Sequence, residues 1–390
     1  MTVTATHLQR LSKQDAAAAI ESAAGVLRAG GLVIFPTETV YGIGANVSTM
    51  EGLARLRRLT VGTAGNPADG PRPGTWHAPS AGAVLNVVPL KFPVHRRAVE
   101  RLAPGPVRFL IEMDDGTIED VMRAIGAQRG TIERPSPGGV PAFSVRVPDH
   151  PIAWDVLGRA GVPVIAERIS ALGWGEDPST PVFQSRSESA GIAAVLFDGR
   201  PRLGAPSTVL LLSRDGGAKV IEEGAMSARA VQKRLQRIVL FVCTGNTCRS
   251  PMAEAAAFHL LATEFKTRPG DVPVAVGSAG TSAAAGEHAT PEGVEAMKGL
   301  GITPPDHRAR EVSREMIDEA EVVFAMTPSH ARTLAEMAPE AADRIRLLDP
   351  AGASVPDPIG AGQSVYDSAA RRIVELVRGR LRELTGRGGT

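Results

Sequence analysis

The chain's only two cysteines, Cys243 and Cys248, stand five residues apart in FVCTGNTCRSPMAE (241–254), with Arg249 and Ser250 directly after the second. A thiol attacks as its thiolate, and a thiolate needs positive charge or hydrogen-bond donors beside it. The apolar run RIVLFV leads into the loop Cys243-Thr244-Gly245-Asn246-Thr247-Cys248-Arg249, and Ser250-Pro251 then opens a helical stretch, PMAEAAAFHLLATE. Proline in a first helical turn forfeits no bond, because that N–H lacks an intrahelical partner anyway. A strand, a short loop and a helix N-terminus in this order gather backbone N–H groups and the positive end of the helix dipole around one concavity. Such a concavity binds an oxyanion or a phosphate. The same donors, with Arg249, stabilise a thiolate at Cys243. Arg249 also grips two phosphate oxygens with one planar fork, which a lysine cannot reproduce. The spacing therefore predicts Cys243 as a nucleophile and Arg249 as the holder of the group it attacks, with the loop from Thr244 to Ser250 as the phosphate cradle.

The elements that must position these residues follow an α/β rhythm, short apolar runs alternating with amphipathic helical stretches. GLVIFPT (31–37), VRFLIEM (107–113), VPVIA (162–166), AAVLFDG (193–199) and STVLLLS (207–213) have buried-strand patterns. A helical DAAAAIESAAGVLRAGG stops at glycines before the first of them. The stretches 61–82 and 134–141 read as loops from their glycine and proline content. At 390 residues two domains are the natural expectation. SARAVQKRLQ (227–236) reads as a helical connector between residues 1–230 and a strand–loop–helix repeat over 236–385. That repeat has the pattern of a doubly wound parallel sheet.

Composition narrows the function classes. Lys+Arg 43 against Asp+Glu 42 leaves a formal net charge of +1, so no bulk attraction to nucleic acid or membrane is expected. The N-terminal MTVTATHLQRLSKQDAAAA has no apolar core after its basic residues, unlike a secretory signal. No run of eighteen apolar residues predicts a membrane span. Two cysteines cannot make a disulfide framework, and nothing has paired zinc-ligand spacing, so no metal is expected. A cytoplasmic protein with reduced thiols fits these features.

Cys-x5-Arg-Ser directly after a strand, with the distant PDPIG (356–360), resembles the low-molecular-weight protein phosphatase family. GSAGTSAAAGEHATPEGVEAM (277–297) and EVVFAMTPSHARTL (321–334) extend the resemblance over about 150 residues. It implies a metal-free, cofactor-free two-step mechanism on a phosphorylated protein. Cys243 forms a phosphocysteine, and Asp357 protonates the leaving group and then activates water. Ser250 would donate to the Cys243 sulfur, and Asn246 would brace the loop. Cys248 is either a small packing residue or a resolving thiol for an oxidised Cys243. VCTGNTCRSPMAE further resembles bacterial protein-arginine phosphatases, where a threonine at the place of Thr247 favours phosphoarginine. Tyrosine phosphatases of the family usually have a bulky aliphatic residue there and aromatics after the Asp-Pro, where this chain has Ile359 and Gly360.

In the N-terminal half, GGLVIFPTETVYGIGANV (30–47), APGP (103–106), VRVPDHP (145–151), STV (207–209) and GAMS (224–227) resemble the YrdC family of threonylcarbamoyl-adenylate synthases of tRNA modification. The fold this implies is a twisted open α/β sheet, with a ligand site at Thr37, Thr39, Tyr41, Arg146 and Ser207. ATP with Mg, and RNA or a nucleotide, are the ligands implied if the domain is active. The charge-bearing segments depart from the family. Its Lys-Gly-Arg-Pro is absent from LRRLTVGTAGNPADGPRPGTWHAP, leaving Arg58 or Arg72 as replacements. ERISALGWGED stands where Ser-Ala-Asn is expected, and Glu222-Glu223-Gly224-Ala225 where Arg-Pro-Gly-Ala is. The expectation is a phosphatase preferring phosphoarginine over phosphotyrosine, joined to a diverged synthase-like domain. Alternatives are a bifunctional synthase and tyrosine phosphatase, and an N-terminal RNA-binding module.

Overall fold

The computed structural model describes residues 4–7, 12–60, 74–268 and 270–386. It divides into two compact units, Met1–Leu235 and Gln236–Thr390. No helix among the described residues is long and apolar enough to cross a membrane.

The first unit is built on a mixed sheet whose strands, in chain order, are β1 (Thr4–His7), β2 (Leu32–Phe35), β3 (Gly42–Asn46), β4 (Thr75–His77), β5 (Val107–Glu112), β6 (Glu133–Pro135), β7 (Pro141–Arg146), β8 (Val164–Arg168), β9 (Ala194–Phe197), β10 (Thr208–Leu212) and β11 (Ala218–Glu222). Their spatial order is β1-β9-β2-β3-β8-β4-β7-β5-β10-β11, with β6 beside β7. The sheet is covered on both faces, as continuous apolar strands require. Along β2, Leu32 and Ile34 join one core cluster, and Val33 and Phe35 join the other with the helix Lys13–Arg28.

Two expected loops contain strands. Within 61–82, Thr75–His77 pairs with β7 and β8, and buried Trp76 packs edge-on to Phe143. Three residues are too few for an alternation to show against flanking glycine and proline. The stretch 134–141 is a hairpin, β6 antiparallel to β7, closed by Gly139 at φ 76°. The expected connector, Ala228–Leu235, belongs to the first unit, because Val231 and Leu235 are buried in its core.

The second unit is a parallel sheet, β12 (Arg237–Cys243), β13 (Val274–Gly280), β14 (Val322–Ala325) and β15 (Ile345–Leu347), in the order β13-β12-β14-β15. Alternate β12 residues serve opposite faces. Val239, Phe241 and Cys243 pack with the helices Arg249–Thr263 and Gln363–Leu384. Leu240 and Val242 pack with the helices Arg314–Glu319 and Pro328–Met337. Helices on both faces make the sheet doubly wound. β12 leads off on one side to β13 and on the other to β14, so its carboxyl end is the topological switch point where such sheets bind ligands.

Candidate active site

Cys243 is the last residue of β12, and Arg249 is the first of the helix Arg249–Thr263, so the loop between them occupies that switch point. Among the described residues, no backbone amide from Thr244 to Cys248 donates to a protein acceptor. Thr244 is exposed and Gly245 and Thr247 are half-buried, and free amides at a helix N-terminus are able to take an anion. Gly280 lets the neighbouring strand come close enough to hold this loop. A Cβ there would stand 2.3 Å from the Thr244 carbonyl oxygen and 2.9 Å from the Asn246 nitrogen.

The Cys243 sulfur is buried at the base of the loop, 3.0 Å from Ser250 Oγ. The Ser250 hydroxyl has one proton and two acceptors in reach, the sulfur and the Ala279 carbonyl at 3.3 Å. An ionised sulfur is the stronger acceptor and takes that proton. Asn246 turns through a left-handed conformation, φ 54°, which a short amide side chain tolerates. Its side chain is fully used. Nδ2 donates to Ser250 Oγ and Ser278 Oγ, each at 2.9 Å, and Oδ1 accepts the Arg310 amide at 3.0 Å. Its carbonyl accepts a bond from His307 Nε2 at 2.6 Å. Glu254 accepts from Ser278 at 2.5 Å and faces His307 at 3.8 Å, closing the ring of contacts.

Arg249 is almost wholly buried. It donates to the Val355 carbonyl at 3.2 Å and pairs with the Asp357 carboxylate, while its buried Nε has no hydrogen-bond partner. Asp357 is half-exposed, and its other oxygen accepts the Ile359 amide at 3.3 Å. The Asp357 carboxylate is thus tethered to the buried Arg249 guanidinium at the end of the loop. Thr247 is half-buried beside Cys248, whose sulfur has the Thr290 hydroxyl at 3.7 Å and the Tyr366 hydroxyl at 3.4 Å. Both cysteines are free thiols. Burial, followed by the bond to Cys248, raises the Tyr366 pKa to about 12. Ile359 stands out into solvent at 64 % exposure, with Gly360 next to it, so neither supplies an aromatic wall. Among the described residues no group of three or more His, Cys, Asp or Glu side chains could hold a metal.

The five N-terminal candidates are only partly brought together. Arg146, at the end of β7, donates to Thr39 Oγ1 at 2.7 Å and ion-pairs with buried Glu38 at 2.9 Å. Thr39 lies 3.0 Å from Thr37, hydroxyl to hydroxyl. Tyr41 spends its hydroxyl elsewhere. Its hydroxyl donates to the Gly199 carbonyl at 2.7 Å and accepts the Asp198 amide at 2.9 Å, and its ring stacks on Phe197. Ser207 is half-buried just before β10. Burial, then the charge of Arg146, depresses the pKa of neighbouring His77 to about 3. Arg58 is exposed on the helix Met50–Thr60, and Arg72 lies outside the described residues. Glu222 lies 3.9 Å from Arg108, and Glu223 accepts the Ala228 amide at 2.9 Å. After β8, the ERISALGWGED segment forms a turn anchored in the core by Ile169 and Leu172.

The residues around Asn246 that sequence reasoning missed, Ser278, His307 and Glu254, come from a strand, a loop and a helix with no fixed spacing among them. Ser278 lies within a stretch singled out above; its place opposite the loop was not readable from the string.

Comparison with known proteins agrees with both halves. Residues 238–387 match the family model for low molecular weight phosphotyrosine protein phosphatase, and residues 25–224 match the Sua5/YciO/YrdC model, described as telomere recombination. A protein-arginine-phosphatase of Geobacillus stearothermophilus is 40% identical over 149 residues, which are 37% of this chain and 93% of that protein. A low molecular weight protein-tyrosine-phosphatase of Streptomyces coelicolor is 37% identical over 151 residues, 35% of this chain and 85% of its own. A threonylcarbamoyl-AMP synthase of Pyrococcus abyssi is 28% identical over 211 residues. They make up 52% of this chain and 55% of the synthase, so the chain spans about half of that relative's length.

Proposed function

Because the chain joins a member of the Sua5/YciO/YrdC family (residues 25–224) to a member of the low molecular weight phosphotyrosine protein phosphatase family (residues 238–387), we propose that it is a cysteine-dependent protein phosphatase that prefers phosphoarginine. One observation carries the phosphatase reading: a buried thiol lies under a row of unpaired amides, beside an arginine whose buried Nε has no partner. Cys243 attacks the phosphoryl group in line while the loop amides and Arg249 hold its oxygens. Asp357 gives its proton to the departing group and then takes one from the attacking water. Ser250 and the braced Asn246 hold the thiolate and the loop in shape. Replacing Asp357 by Asn should cost most for a poor leaving group and little for an activated aryl phosphate. Steady-state rates across leaving groups check this, and equal losses would make Asp357 structural.

Phosphoarginine is favoured by the similarity to arginine phosphatases, by the Thr247 hydroxyl and by the missing aromatic wall at Ile359 and Gly360. The direct test compares phosphoarginine and phosphotyrosine peptides on the full chain. Thr247→Ile should swing relative kcat/KM toward phosphotyrosine by about ten- to a hundred-fold, the usual worth of one such pocket contact. A wild type that clears phosphotyrosine faster, with no swing in the variant, returns the chain to a tyrosine phosphatase.

For the N-terminal unit we propose loss of synthase chemistry. Glu222 and Glu223 stand where the family has Arg-Pro, and these exposed carboxylates repel a triphosphate where the family offers it a cation. No pyrophosphate release from ATP with threonine and bicarbonate should exceed the background without threonine. Release dependent on both would establish a second activity.

A further inference from the structure

His330 has a place at this site that the mechanism above does not use. It lies in the first turn of the helix Pro328–Met337, directly after β14, and is 7% exposed. Its Nε2 is 2.9 Å from Thr244 Oγ1, and its Nδ1 is 3.0 Å from Thr327 Oγ1. Thr244 follows the nucleophile directly and is exposed at the mouth of the loop. The ring is therefore held between two hydroxyls, one of them on the residue that follows the nucleophile.

A hydroxyl has one proton and two lone pairs, so whatever fixes its proton fixes what it offers elsewhere. Only the neutral imidazole can accept at Nε2; the cation donates at both nitrogens. With Nδ1–H donating to Thr327, Nε2 accepts the Thr244 O–H and leaves the Thr244 lone pairs toward the pocket. The guanidinium of phosphoarginine brings N–H groups to that rim and needs acceptors. The phenolic oxygen of phosphotyrosine has no proton to give, and lone pairs aimed at it gain nothing. Resting on the phosphoarginine reading, we propose that His330 is a positioning residue that turns Thr244 Oγ1 into an acceptor for the N–H groups of the leaving guanidinium, and so sets leaving-group preference.

The electrostatics of the site keep the ring in the required form. Burial first, and then the Arg249 guanidinium, hold the His330 pKa below the ordinary imidazole value, with the Asp357 carboxylate opposing them. At neutral pH the ring is neutral and the acceptor is in place. Acidification protonates the ring and makes Nε2 a donor. The Thr244 oxygen must then accept from His330, and its own O–H swings toward the substrate.

The experiment measures, on the full chain, the ratio of kcat/KM for a phosphoarginine peptide to that for the matching phosphotyrosine peptide. Thr244→Val and His330→Leu should each lower the ratio by about five- to twentyfold, mostly through the phosphoarginine value. The double variant should fall no further than the larger single effect, because both changes remove one interaction. Thr244→Ser keeps the hydroxyl, so whatever its absolute rate its ratio should stay within about twofold of the wild-type ratio. The wild-type ratio should decline on acidification, and that of His330→Leu should not. Multiplying effects in the double variant, equal losses on both substrates, or a wild-type ratio indifferent to pH would each overturn the proposal. If His330→Leu does not fold, Thr244→Val against Thr244→Ser still decides it, since Thr244 is exposed. The absolute wild-type ratio separately tests whether phosphoarginine is preferred at all. The change in ratio among variants is measured whichever substrate wins.

Discussion

Cys243→Ser should abolish turnover and leave phosphate binding close to that of the wild type. The serine hydroxyl occupies the space of the thiol, but it does not ionise near neutral pH, and among the described residues the hydrogen-bond partner of the Cys243 sulfur is the Ser250 hydroxyl. Ser250, at 3.0 Å, is a donor to a thiolate and cannot deprotonate an alcohol. The anion cradle is untouched, because the loop amides and Arg249 come from backbone and from another side chain. The expected loss in kcat is about four orders of magnitude or more, the scale seen when a nucleophile is removed. Titration of inorganic phosphate by calorimetry should give a dissociation constant within about threefold of wild type, since no bond to the anion is deleted. Residual activity above a tenth of wild type would remove Cys243 as the nucleophile.

How much of this was legible in the sequence follows from how each feature is written in the chain. The nucleophile, the cradle and Arg249 lie within seven consecutive residues, so strand, loop and helix carry them as one unit and their geometry is implied by their order. The left-handed turn at Asn246 was foreseeable from residue type, whereas its partners Ser278, Arg310 and His307 were not. They reach it through parallel pairing of β12 with β13 and through the loop that follows, contacts that no local pattern encodes. His330 was likewise hidden in MTPSHAR, though a histidine opening a helix at the carboxyl end of a strand next to the switch point is a signal worth weighing. In the first unit, β4 is too short to show a period. Val231 and Leu235 in the supposed connector are four residues apart, the spacing of a buried helical stripe, and that spacing marks the helix as core. Tyr41 sits in a run that matches its family by letters, while its hydroxyl serves the turn at Asp198 and Gly199. A motif reports which residues are present, and only the fold reports which way they face.

The second large effect is expected from Arg249→Lys, a change that keeps the charge. Arg249 has two of its three nitrogens engaged and one without a partner. One terminal nitrogen is bonded to the Val355 carbonyl at 3.2 Å, the other to Asp357, and the buried Nε remains unpaired. A phosphate oxygen at Nε would give that donor a partner, and the bond would strengthen as negative charge grows on the oxygens in the transition state. Lysine has one ammonium on a flexible stem, with no planar pair of donors. It cannot bond the phosphate and also reach both Val355 and Asp357, so two charge-assisted bonds are lost at about 1.5–3 kcal/mol each. The sum, about 3–6 kcal/mol, corresponds to a fall in kcat/KM of about a hundred- to ten-thousandfold. Asp357 is released at the same time, so the lysine variant should lose more on a poor leaving group than on an activated aryl phosphate. Phosphate affinity should fall with the rate, in contrast to Cys243→Ser, and the two variants together separate holding the phosphate from attacking it. A lysine enzyme of near-normal rate would mean that charge alone suffices, and the reading of the loop as a fork-and-cradle phosphate site would have to be given up.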